Sequence, residues 1–223
     1  MTRNRLRVAL LVTVLAAAAA VALWPSMGPS MWPSMGPSMG PSDPGTPPVV
    51  AAPPAPDMDA LRARAALAPC PEPVGDAAPA GPLAGVTVPC LGAPGSVDLG
   101  TALAGRPALL NLWGPLCGPC REEMPALAGY AASPGAIPVI GVEVQRLPAG
   151  GLDLLAALDV HYPSVSDPDG ALRRALGSPP VLPLTYVVAP DGRVMQVNPP
   201  EVFRDPAGVR AAVERYLGHR AVG

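Results

Sequence analysis

The 223-residue chain predicts an α/β fold, a central mixed β-sheet flanked by helices, behind an apolar N-terminal segment and a proline-rich tether. Three observations carry this expectation. Continuous apolar runs of strand length, RPALLNLW and AIPVIGVEV, alternate with helix-forming stretches, the pattern of parallel strands buried on both faces. LTYVVA and RVMQV are separated by the turn signal PDG, which makes them an antiparallel hairpin. The last element, DPAGVRAAVERYLG, has Asp205 as its N-cap, Pro206 in its first turn and an apolar stripe of Val209, Ala212, Val213, Tyr216 and Leu217 that can close one face of a sheet.

In chain order, MTRNRLR carries three arginines and leads into VALLVTVLAAAAAVALW, residues 8–24. Such a run is near the lower length limit of roughly 17 residues for a spanning helix, and Trp24 falls where aromatic side chains favour the lipid interface. The expectation is a single-pass membrane anchor with Arg3, Arg5 and Arg7 inside and the remainder extracytoplasmic. The alternative is a cleaved export signal and a secreted protein, because Ala20 to Ala22 has the small-x-small form that a signal peptidase cuts. Either way the thiols meet an oxidising compartment. From residue 25 to 57 a PSMG-type repeat passes into DPGTPPVVAAPPAP; a proline every fourth residue forbids a regular helix or a central strand, so this is an extended tether. Its methionines offer soft donors, but no histidine accompanies them and the repeat reads as spacer.

Residues 58–100 form an extension. DMDALRARAALA predicts a short helix capped by Asp57 or Asp59 and stopped by Pro69; VTVPCL and SVDLGTALAG are two short extended pieces around a turn. The main domain, 101–220, then reads as strand (RPALLNLW), helix (REEMPALAGYAA), strand (AIPVIGVEV), helix (GGLDLLAALDV), a short helix (DGALRRALG), the hairpin and the closing helix. A formal net charge of −2 leaves no basic footprint for nucleic acid.

Chemistry concentrates in LWGPLCGPCREEMP. Cys117 falls between strand and helix, where unpaired amides and the positive end of the helix dipole favour thiolate over thiol, which makes it the expected nucleophile. Cys120 lies one turn further on the same face and can resolve a mixed disulfide formed on Cys117. Other readings fit less well. A C-x-x-C loop is too short for a staple to remove much chain entropy. Zinc needs two more ligands, which Cys70 and Cys90 do not offer at paired spacing. Haem attachment needs a histidine where Arg121 stands. No metal and no cofactor beyond the Cys117–Cys120 pair is therefore expected. Cys70 and Cys90 most simply pair as a structural bridge in an exported chain; closing that loop is worth about 3 kcal/mol in the chain-entropy model.

NLWGPLCGPCREEMP followed some sixty residues later by LPLTYVVAPDGRV resembles the TlpA/ResA family of membrane-anchored, thioredoxin-like thiol-disulfide oxidoreductases, over roughly Val86 to the C-terminus. The resemblance implies a thioredoxin-like fold and reduction of disulfides in exported clients, apocytochrome c among them in related maturation proteins. CGPC is also the loop of reducing thioredoxins, whose potential is about −270 mV. A reductase recharged by a membrane electron donor is expected, with an oxidase or isomerase, or a peptide-binding head without turnover, as alternatives. In the family a buried carboxylate at the position of Glu123 takes and returns the proton of the resolving cysteine. Its proline at the position of Pro183 is cis and faces the dithiol, so that the backbone of Leu182 can bond an extended client. Two departures stand out. Leu116 replaces a tryptophan beside the first cysteine, leaving Trp113 at the strand end as the aromatic, and Leu184 replaces a common threonine. Leu182, Leu116 and Trp113 are the expected client contacts.

Overall fold

The structure is a computed structural model and describes residues 55–218. The expected anchor, nearly all of the tether and the last residues of the chain lie outside the described residues. Among those described, no helix is long and apolar enough to cross a membrane.

Helix α1 (Met58–Ala65) begins where the Asp57 carboxylate accepts hydrogen bonds from the amides of Asp59 and Ala60, each at 3.1 Å, and ends at Ala66 in the left-handed region. Strands β1 (Thr87–Pro89) and β2 (Ser96–Asp98) pair antiparallel. The second expected extended piece does not stay extended. Asp98 Oδ1 accepts from Thr101 N at 2.8 Å and caps a one-turn helix, α2 (Leu99–Ala102).

The main sheet has five strands in the order β5-β4-β3-β6-β7. β3 (Ala108–Trp113) and β4 (Val139–Glu143) are parallel, in register Leu109 with Val139 through Trp113 with Glu143, and are linked by α3 (Gly118–Ala131). Helix α4 (Pro148–Ala157) leads to β5 (Ser164–Ser166), a parallel edge strand that has no apolar run to announce it. The short α5 (Ala171–Ala175) precedes β6 (Leu184–Val188), which pairs antiparallel with β3 and, across the PDG turn, with β7 (Val194–Gln196). The closing helix is α6 (Pro206–Gly218); Asp205 Oδ1 accepts from Gly208 N at 2.9 Å, and Val209, Ala212 and Val213 are buried.

Two cores follow from the alternation of side chains along β3. Leu109 and Trp113 face α3, α4 and α6. Ala108, Leu110 and Leu112 face the opposite layer, where Leu83, Val88, Leu99 and Leu172 pack. Asn111 shares the first face, which sets a buried amide within that layer. The extension joins the edge of the sheet through a bridge between Cys90 and Val165 and a bond from Leu91 N to Ser164 O of 2.9 Å. Because β3 and β4 run parallel and β6 runs against them, the ends of β3 and β4 and the start of β6 meet at one edge of the sheet.

Candidate active site

That edge carries the dithiol. Cys117 is the N-cap of α3, and its Sγ accepts from the amide of Cys120 at 3.2 Å. Pro119 lies in the first turn of the helix, where a missing amide costs nothing. The two cysteines are joined as a disulfide with Cα atoms 5.3 Å apart. Cys117 retains 9% exposure and Cys120 none, so an incoming sulfur can reach the first and not the second.

One turn past Cys120, Glu123 is wholly buried. Asn111 Nδ2 donates to its Oε1 at 2.7 Å and lies 3.4 Å from Thr185 Oγ1, while Glu123 Oε2 has no hydrogen-bond partner. Burial, which penalises the charged form, pushes the carboxyl up to about 7; the Asn111 bond and the backbone of Phe203 oppose this, and the charge of Glu201 adds to it. Tyr162 is held neutral by burial and then by the nearby Glu123 charge, and its hydroxyl is also unpartnered. A half-satisfied carboxyl that titrates near neutrality is a proton acceptor and donor in waiting.

The Leu182–Pro183 peptide is cis; Pro183 is buried and Leu182 half-buried at the start of β6. Leu116 is 78% exposed and Val181 50%. Trp113 corrects an expectation. Its side chain is wholly buried, against the space above Gly141 and Gly151, and offers no surface to a client; it packs the core beneath the site. Cys70 and Cys90 are joined with Cα atoms 6.1 Å apart in the extension, where Cys90 directly follows β1 and bridges Val165 of β5. Among the described residues no group of three or more histidine, cysteine, aspartate or glutamate side chains could hold a metal ion.

A family model described as Redoxin matches residues 73–212, more than half of the chain. The chain belongs to the Redoxin family. This Redoxin chain is 31% identical over 98 residues to the thiol-disulfide oxidoreductase ResA of Bacillus subtilis, covering 43% of this chain and 54% of that protein. It is 32% identical over 108 residues to the thiol:disulfide interchange protein DsbE of Pseudomonas aeruginosa, covering 46% of this chain and 58% of that protein. The chain thus spans about half the length of the curated relatives it matches. Among solved structures, a secreted Mycobacterium tuberculosis disulfide oxidoreductase homologous to E. coli DsbE superposes with a TM-score of 0.53 at 24% identity, covering 60% of this chain and 97% of that one, a likeness of fold. The fold is thioredoxin-like.

Two residues that the sequence motifs do not mark, Asn111 and Gln145, bond groups of the site. Asn111 was visible as the lone polar residue of an apolar strand, although its partner was not. Gln145, whose Oε1 accepts from Leu116 N at 3.0 Å, had no local signal at all.

Proposed function

We propose that the protein is an extracytoplasmic thiol-disulfide oxidoreductase that reduces disulfides of exported client proteins through Cys117 and Cys120. The observation that carries this reading is the seating of the pair, with the first sulfur at a helix N-terminus facing an amide and the second wholly buried beneath it. In the reduced protein that amide and the helix dipole stabilise a Cys117 thiolate. The thiolate attacks one sulfur of a client cystine, forming a mixed disulfide, and the client's other sulfur leaves as a thiolate that takes a proton from solvent. Cys120 passes its proton to the Glu123 carboxylate and attacks Cys117 Sγ, which breaks the mixed bond and releases the second client sulfur. Two electrons have moved to the client, and the protein ends with the Cys117–Cys120 disulfide.

Leu182 offers its backbone to an extended client segment, Leu116 an exposed aliphatic contact, and Pro183 lines the approach to the sulfurs. Cys70–Cys90 is a structural bridge. Residues 8–24 anchor the chain in a membrane and residues 25–57 hold the catalytic domain off it, with a membrane dithiol donor returning the electrons. The relatives' names, ResA and DsbE, support the reaction class.

A disulfide-bonded model peptide tests the reading. Reduced wild-type protein is expected to turn it over, and Cys120→Ser is expected to stop as a peptide adduct on Cys117. Absence of any adduct rejects the mechanism, and a pair potential as high as that of strong oxidants, about −120 mV, rejects the direction.

A further inference from the structure

The turn that carries Cys117 has little to hold it from within. Cys117 N donates to Gly114 O at 3.0 Å and closes the turn, but the Leu116 side chain between them is 78% exposed. The hold comes from the neighbouring loop after β4. Gln145 Oε1 accepts from Leu116 N at 3.0 Å, and the same side chain lies so close over Gly114 that a Cβ there would overlap its Cγ, Cδ and Oε1. Glycine at 114 therefore makes room for Gln145.

Gln145 is itself seated by a second buried acid. Glu143, wholly buried at the end of β4, accepts through Oε1 from the amides of Gln145 at 2.6 Å and Leu147 at 3.3 Å, and through Oε2 from Ser166 Oγ at 2.9 Å. Arg146 between them takes a φ of 59°, so the loop wraps the carboxylate. Val144 N, bonded to Trp113 O at 3.0 Å, ties this loop to the end of β3. Glu123 leaves one oxygen without a well-formed hydrogen bond, whereas Glu143 uses both of its oxygens, which suits it to hold a backbone.

We propose that Gln145, seated by Glu143, is the positioning residue that fixes the Gly114–Cys117 turn and so aims the Cys117 sulfur. The proposal rests on the reading of Cys117 as the attacking sulfur. Gln145 touches no reacting atom; it acts through the Leu116 amide.

The test is single-turnover reduction of a disulfide-bonded peptide by the full-length reduced protein, resolved into a saturating rate and a half-saturating concentration. Gln145→Met keeps the shape and loses the acceptor, and Gln145→Glu keeps an acceptor oxygen. Gln145 is only half-buried, and circular dichroism checks that both variants fold. Gln145→Met is expected to lower the saturating rate about three- to tenfold with the half-saturating concentration unchanged. Gln145→Glu is expected to return to the wild-type rate at pH 9, where the added charge no longer limits thiolate formation. A Met variant as fast as wild type, or two variants equally slow at pH 9, overturns the proposal. A wild-type protein that cannot reduce the peptide overturns the reading of the site, and this proposal with it.

Discussion

The chain holds two disulfides whose surroundings share almost nothing. Cys117–Cys120 spans three residues at the start of a fourteen-residue helix, with a backbone amide on the first sulfur and a half-satisfied carboxyl one turn beyond the second. Cys70–Cys90 spans twenty residues, in a proline-rich extension tied to a sheet edge, and neither of its sulfurs caps a helix. One bond closes too short a loop to stabilise much and sits at a helix N-terminus, where a thiolate is favoured; the other closes a longer loop and sits at no helix start among the described residues. On the proposed reading, the same covalent link serves reaction in one place and stability in the other.

The largest expected effect is chemical. Cys117→Ser should abolish peptide reduction in a single-turnover assay while leaving the unfolding midpoint close to wild type. Replacing Cys70 and Cys90 together by serine should do the reverse, with reduction retained and stability lowered by about 3 kcal/mol in urea unfolding. Loss of reduction in that double variant would erase the distinction between the two bridges.

Glu123 sharpens the comparison through pH. Its carboxyl titrates at about 7 in the folded chain against 4.5 for an ordinary carboxyl, so between these values the native state binds more protons than the unfolded one. The contribution of this group to stability should then be greatest below pH 4.5 and fall as pH rises through 7, by up to about 3 kcal/mol. Glu123→Gln should remove that slope and be the more stable protein at pH 8, while resolving mixed disulfides more slowly. Parallel stability curves for the two proteins would show that the group does not titrate as described. Smaller still is Asn111→Ala. Losing its donor should move the Glu123 titration further up and cost about 1 kcal/mol, read from the same pH series.

Much of the frame was legible because strong local signals agreed with the tertiary outcome. β3 and β4 are apolar but for Asn111 and Glu143 and are buried on both faces, and α6 begins at the Asp205 and Pro206 that mark a helix start. β5 was not legible. It is three residues long, two of them serine, and its burial is tolerated because Ser166 bonds Glu143 and Ser164 Oγ bonds Tyr162 O at 3.3 Å. The cysteines announced themselves by their spacing and Glu123 through the family resemblance, whereas Gln145 reaches Leu116 from 29 positions away, and no periodicity encodes such a contact. Trp113 was misread because its place beside the site in sequence is a place beneath it in space.

The contrast between the bridges is tested most directly by equilibrating the full-length protein in a graded series of thiol-disulfide buffers and mapping the state of each cysteine by mass. Cys117–Cys120 should open near the potential of reducing thioredoxins, about −270 mV, while Cys70–Cys90 stays closed until well below it. Opening of Cys70–Cys90 first, or of both at one potential, would contradict the account.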